Sequence, residues 1–370
     1  MERNLIIFAG AGASYGVSKE NYPTAVGFRE RLPTEIKNEY LYQQLDAYLA
    51  KQGGGGIVDI EHVLWALDQL VDAIKEFTAP DRFGTQILTL NQIGVITGDQ
   101  HPGPRTNAQF NSLQSQVDRL KDLMNRRIYD LYAQEPTNEE LDRSWVPLLK
   151  WAAGRSFRRI DLITTNYDLI LENAIERVPA IRIDTGWQRR GTITTLDISK
   201  WNSATTSDIG RFTKLHGSVD WTYGKGHSDV RPVVRPGQPD LLGGHDSRAI
   251  IYPGFKGKPA AEPFATFHEY FRRQVRDATH MLFIGFAFRD EHINGVLSDS
   301  TSPTAQIAIV DPIRTLSTNL PFAQPTTHLQ QCFGVEAVPV TIPQSGTPFC
   351  LDDVKNWADG SLKSSQGLSV

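Results

Sequence analysis

Leu5-Ile6-Ile7-Phe8-Ala9-Gly10-Ala11-Gly12-Ala13-Ser14 is the stretch on which the reading of this 370-residue chain turns. Four large apolar residues running into a glycine-punctuated turn predict a buried parallel strand, then a loop, then a helix. Gly10 and Gly12 carry no Cβ, so the backbone can turn tightly and bring N–H groups up to a pyrophosphate, while Ser14 can add its hydroxyl. The last glycine of the usual G-x-G-x-x-G pattern is displaced. The loop alone therefore reads either as a nucleotide cradle or as a tight turn.

Three later stretches decide between these. Ile160-Asp161-Leu162-Ile163-Thr164 predicts a second strand that delivers Thr165, Asn166 and Asp168 at its carboxyl end, directly before a helix. Asn166 offers donor and acceptor to ribose hydroxyls or a water; Asp168 can either accept from a carboxamide or cap the helix. Phe212 to Leu215 predicts a short strand with His216 at its tip, and Gly217 lets the chain turn away. An imidazole there can take and return a proton near neutral pH. Met281 to Ile284 predicts another buried strand, where Gly285 and Phe286 can admit a ribose or adenine against the backbone, and where Arg289, Asp290 and His292 open a polar turn and helix. Ile307 to Val310 ends at Asp311, which can bind a ribose hydroxyl or cap its turn.

Composition narrows the classes. The net charge of -4, with both signs intermixed, argues against a phosphate-backbone binder, so direct contact with nucleic acid is not expected. Cys332 and Cys350 are the only cysteines, too few for a disulfide framework or a four-cysteine zinc site. His227, His245 and Asp246 have no compact ligand spacing, so no metal is expected. There is no apolar run of membrane-spanning length and no leader pattern; the expectation is a soluble, cytoplasmic protein.

The expected architecture is α/β, a Rossmann-like parallel sheet flanked by helices. It occupies 1–345, is interrupted by a mainly helical insertion at about 31–153, and is followed by a C-terminal segment 346–370. Two apolar stripes mark the insertion, Ile57 to Ile74 and Leu113 to Leu131, and both read as core faces. Between Tyr15 and Glu30 the chain is polar and contains glycine; it reads as a surface connection or as a segment folding over a ligand, with Phe28 packing on a ring and Arg29 facing an anion.

Together, Gly10-Ala11-Gly12-Ala13-Ser14, Thr165-Asn166-Tyr167-Asp168, Lys214-Leu215-His216-Gly217-Ser218 and Gly285-Phe286-Ala287-Phe288-Arg289-Asp290-Glu291-His292 resemble the sirtuin superfamily, specifically its bacterial Sir2-like branch of antiphage-defence NADases. The resemblance implies NAD as substrate. It makes Asn166 and His216 the catalytic pair, the loop with Gly12 and Ser14 the phosphate holder, and Phe28 and Arg29 part of the cofactor loop. Deacylating members carry a structural zinc on two cysteine pairs, which two distant cysteines cannot supply. The expected reaction is therefore hydrolysis of the nicotinamide–ribose bond, giving nicotinamide and ADP-ribose. A zinc-free deacylase and a silent NAD- or ADP-ribose-binding subunit are the alternatives. The branch also implies a homo-oligomer that pairs with a HerA-like ATPase.

Overall fold

The computed structural model describes residues 3–52, 60–78, 107–190, 193–202, 208–223, 233–235, 248–251, 261–288, 290–310, 337–340 and 351–359. These fall into two compact units, one formed by Met1–Tyr22, Tyr132–Ile251 and Lys256–Val370, the other centred on Pro23–Leu131.

The first unit opens with strand β1 (Asn4–Ala9) and helix α1 (Ala11–Val17). The second unit holds α2 (Ala25–Glu30), α3 (Thr34–Lys37), α4 (Tyr40–Gln52), α5 (Ile60–Thr78) and nearly all of α6 (Asn107–Tyr132). Its core is the two apolar stripes: Ile60, Val63, Leu64, Leu67 and Leu70 from α5, and Leu113, Val117, Leu120, Met124 and Ile128 from α6 are all buried. The Lys121–Asp68 ion pair, at 3.0 Å, ties the two helices. The helix α6 starts at Asn107, ahead of the Asn111 or Ser112 start expected from the stripe.

The chain then returns to the first unit through α7 (Asn138–Arg143), α8 (Trp145–Ala153), β2 (Arg159–Thr164) and α9 (Ile170–Glu176). There follow β3 (Ile183–Asp184), β4 (Trp187–Arg190), β5 (Ile193–Leu196), α10 (Ser199–Asn202), β6 (Gly210–Lys214), β7 (Gly217–Tyr223), β8 (Val233–Arg235) and β9 (Arg248–Ile250). The last described elements are α11 (Phe264–Asp277), β10 (His280–Ile284), α12 (Glu291–Ser300), β11 (Gln306–Val310), β12 (Ala337–Val340) and α13 (Leu351–Ala358).

Six parallel strands run in the order β12-β11-β10-β1-β2-β6, with two-residue β3 added beyond β6. This is the doubly wound nucleotide-binding order: β1, β2 and β6 step one way from the centre, β10, β11 and β12 the other. It places a topological switch point between β1 and β10, and ligands of such sheets sit outside the carboxyl ends at that point.

Strand side chains alternate between two cores, because successive Cβ atoms point to opposite faces. Leu5, Ile7, Leu162, Leu282 and Val310 face one side, where Ala13, Leu148, Leu149, Ile170 and Val354 cover them. Ile6, Phe8, Ile163, Met281, Phe283 and Ile309 face the other, under Phe267, Phe271, Ile293 and Leu297. Helix cover on both faces explains the continuous apolar runs. Since Leu141, Trp145, Val146, Leu148 and Leu149 belong to the first of these cores, α7 and α8 pack with the sheet unit.

A second, antiparallel sheet of order β4-β5-β8-β7-β9 grows from the loops around β6. Among the described residues no helix is long and apolar enough to cross a membrane.

Candidate functional site

β2 and β6 pair as Ile163↔Thr213 and Thr164↔Lys214, and Asn166 and His216 each follow two residues after the last of these pairs. Both side chains are nearly buried, at 9 % and 3 % exposure. Past the strand ends Leu215 N–H donates to Thr164 O, and Val219 N–H, already in β7, donates to Tyr167 O.

Asn166 is tied to the first loop. Its amide nitrogen Nδ2 donates to Gly10 O at 2.9 Å and to Ser14 Oγ at 2.7 Å. A backbone carbonyl can only accept, so the nitrogen of the amide must lie on that side. Both amide hydrogens are thereby committed, and Oδ1 is the atom left for a ligand. Ser14 passes its own hydrogen to Asp168 Oδ2 at 2.6 Å, and Asp168 Oδ1 accepts from Ile170 N–H at 3.1 Å. Burial pushes the Asp168 carboxyl above its ordinary range, against the pull of Lys214 and the Ser14 hydroxyl. Asp168 thus anchors Ser14 with one oxygen and holds the first N–H of α9 with the other.

Lys214, buried to 1 % exposure, closes the same segment from beneath. Its three ammonium hydrogens serve the Asp168 carbonyl and, at 2.8 Å each, Glu172 Oε1 and Ser218 Oγ, with the Tyr167 carbonyl at 3.4 Å sharing one of them. One cation therefore pins the Tyr167–Asp168 turn, the start of α9 and the strand after His216.

The glycines serve a close approach different from the expected one. Gly10 N–H donates to Ile284 O and Gly12 N–H to Gly285 O, each at 2.9 Å. A Cβ on Gly10 would stand 2.6 Å from Gly285 O, and one on Gly285, whose φ is +60°, would stand 2.1 Å from Ala13 N. The first loop and the β10 turn thus meet backbone to backbone, and two N–H groups assigned to a pyrophosphate stitch that seam. Ala11, at the first position of α1, is exposed. Thr165 continues the ladder by donating its N–H to Ala9 O.

Phe286 also departs from expectation. Its ring packs on Phe8 at 4.7 Å and on Phe288 at 4.8 Å, within the core under α11 and α12, so it supports the turn from behind. Phe288 holds a φ of +53°, rare for a bulky residue, and its carbonyl accepts from Asn294 Nδ2 at 2.7 Å.

The turn ends at Asp290. Its Oδ1 accepts from His292 and Ile293 N–H, capping α12, and its Oδ2 lies 3.1 Å from His216 Nε2. Burial alone would push this carboxyl up; the hydrogen bond and charge of His216, with the Ile293 N–H, bring it down to about 2. The His216–Asp290 contact, 74 residues apart, was not foreseen from the sequence. The polar turn and its N-cap were the only signal there. The imidazoles of His268 and His292 lie nearby with ring centroids 4.7 Å apart.

All four motifs therefore meet at one rim. Phe28 and Arg29 belong to the second unit, where the Phe28 ring is fully buried and Arg29 is engaged by Asp46 and Tyr42. Asp311, Arg289, His227, His245 and Asp246 lie outside the described residues. Among the described residues no cluster of histidine, cysteine and carboxylate side chains suits a metal ion.

Sheet order, switch point and converging loops define a doubly wound, Rossmann-like α/β protein. Within it, residues 161–312 match the family model of the SIR2-like domain, from β2 through β11, a span that contains Asn166, His216 and Asp290. The match supports placement in the Sir2-like superfamily, whose domains typically use NAD. No curated protein matches the chain.

Proposed function

We propose that this protein is an NAD+ hydrolase that cleaves the nicotinamide–ribose bond. The observation carrying the reading is the pair Asn166 and His216, which follow the neighbouring strands β2 and β6 at the carboxyl rim of the sheet, within the span that matches the SIR2-like domain. Asn166, its amide nitrogen fixed by Gly10 and Ser14, turns Oδ1 to the ribose and the attacking water. His216 takes the proton. The C–N bond breaks with its electron pair returning to the pyridinium ring, water oxygen bonds to the ribose carbon, and one water proton passes to His216. NAD+ and water give nicotinamide, ADP-ribose and a proton. The leaving group is already cationic and needs little acid assistance, so positioning and electrostatic stabilisation carry the rate.

Depletion of NAD in antiphage defence, a homo-oligomeric state and control by a HerA-like ATPase complete the proposal, and these rest on the sequence resemblance. The test is nicotinamide release from NAD by the purified protein, alone, with a candidate ATPase and with an acylated peptide. Hydrolysis without peptide that disappears in folded Asn166→Ala and His216→Ala supports the reading. Release only with peptide would establish the deacylase instead, and binding without release in every mixture would establish a silent subunit.

A further inference from the structure

We propose that Asp290 is the positioning residue of His216, holding the imidazole with its proton on Nε2 so that Nδ1 is the nitrogen that accepts the proton in the reaction. The inference deepens the hydrolase reading and rests on it for its kinetic consequence, though not for the geometry.

Asp290 divides its two oxygens between two tasks. Oδ1 accepts from the backbone N–H of His292 at 2.9 Å and of Ile293 at 3.0 Å, which fixes the carboxylate plane on the end of α12. Oδ2 is left facing His216 Nε2 at 3.1 Å, with the two side chains 14 % and 4 % exposed. A carboxylate that is ionised offers no hydrogen, so the hydrogen of that contact has to come from the imidazole. Asp290 remains ionised throughout the neutral range, its carboxyl held down at about 2. A neutral His216 then carries its proton on Nε2, and Nδ1 keeps its lone pair. Among the described residues Nδ1 has no hydrogen-bond partner. When Nδ1 takes a proton the ring becomes a cation, and the Asp290 charge beside it stabilises that cation.

The turn gives the reason this aspartate can be aimed so closely. Gly285 is wedged against Gly12 and Ala13, Phe288 is held in a positive-φ conformation by packing and by Asn294, and Asp290 is bound to two helix N–H groups. The carboxylate therefore has its place set by backbone contacts independent of His216.

Asp290→Asn isolates the claim. Asparagine is an N-cap as good as aspartate, so α12 keeps its cap through Oδ1. The atom facing His216 becomes an NH2 group, a donor, which forces Nε2 to accept and moves the imidazole proton to Nδ1. Nitrogen-15 spectra of histidine-labelled full-length protein, with the His216 signals assigned through His216→Gln, report the tautomer without reference to turnover. The expected result is an Nε2–H tautomer in the wild type and an Nδ1–H tautomer in Asp290→Asn, with a fall in kcat on the order of a hundred- to ten-thousand-fold and KM for NAD changed less than about threefold. An Nδ1–H tautomer in the wild type, an unchanged tautomer in Asp290→Asn, or an Asp290→Asn enzyme with wild-type kcat would overturn the assignment. Should the wild type consume no NAD, the hydrolase reading fails by itself and the tautomer measurement alone decides the role of Asp290.

Discussion

The amide nitrogen of Asn166 donates to the hydroxyl oxygen of Ser14 across 2.7 Å, and Ser14 hands its own hydrogen to the buried Asp168. A side chain expected to face a phosphate is thus the middle of a three-residue chain that fixes which way the Asn166 amide points. Its alanine replacement strands one N–H and one carboxylate oxygen in the interior.

Ser14→Ala is therefore expected to lower stability by about 1–3 kcal/mol, the range for leaving buried polar groups unsatisfied. It should also reduce NAD hydrolysis roughly 10- to 100-fold, mainly through kcat, because Oδ1 is no longer aimed. Urea unfolding and nicotinamide release measure the two effects. A folded Ser14→Ala protein hydrolysing NAD at the wild-type rate would remove the chain from the mechanism.

Two glycines near the same turn should respond oppositely to alanine. At Gly285 the positive φ and the 2.1 Å approach to Ala13 N make any Cβ a clash with backbone, so Gly285→Ala should lose at least about 2 kcal/mol. At Gly295, inside α12, an added Cβ meets nothing within 4 Å. Gly295→Ala should gain roughly 0.5–1 kcal/mol from helix propensity. Denaturant midpoints of the two variants check the contrast, and equal shifts would discredit the seam between the β10 turn and the first loop.

Much of this arrangement was legible because burial on both faces leaves a local mark. The runs of β1, β2, β10 and β11 and the buried stripes of α5 and α6 could be read directly. So could the clustering of motifs at carboxyl strand ends, since each motif follows its strand at once. What periodicity does not carry is the identity of the partner. The apolar residues of α7 and α8 resemble those of the helical unit, yet they cover Leu5 and Ile7. Lys214, by residue type a surface side chain, is an internal cation. Phe286, read as facing a ligand, turns into the core beside Phe8. The contact of Asp290 with His216 depends on a loop conformation that no spacing in the chain encodes.

Two buried histidines should make the fold lose stability as the pH falls below neutral. His268, by burial and then by repulsion from His216 and His292, has its pKa lowered to about 3, and His280, by burial and then by Arg3, to about 4. Both lie below the ordinary value of about 6.5, so the unfolded chain binds the extra protons. Stability is full above about pH 6.5 and falls as pH drops from there toward 4, with a slope up to roughly 1.4 kcal/mol per pH unit for each histidine. Urea unfolding at pH 7, 6 and 5 measures it. His268→Phe should flatten the dependence by about half, and a profile level down to pH 5 would contradict both shifts.

The buried pair of Lys214 and Glu172 sets a final expectation. Lys214→Met removes the cation and leaves Glu172 in the interior without its 2.8 Å partner, a change of about 3–5 kcal/mol in the destabilising direction. Adding Glu172→Leu takes away the stranded charge, and apolar replacements of buried ion pairs are often tolerated, so the double variant should recover part of that loss. Recovery should stop short of the wild type, because Lys214 also holds the Tyr167 and Asp168 carbonyls and the Ser218 hydroxyl, which methionine cannot. The same loosened turn carries Asn166, so NAD turnover should stay depressed in the double variant after stability returns. Additive losses in the double-mutant cycle, or full turnover in the double variant, would show that Lys214 does not organise the turn that carries Asn166.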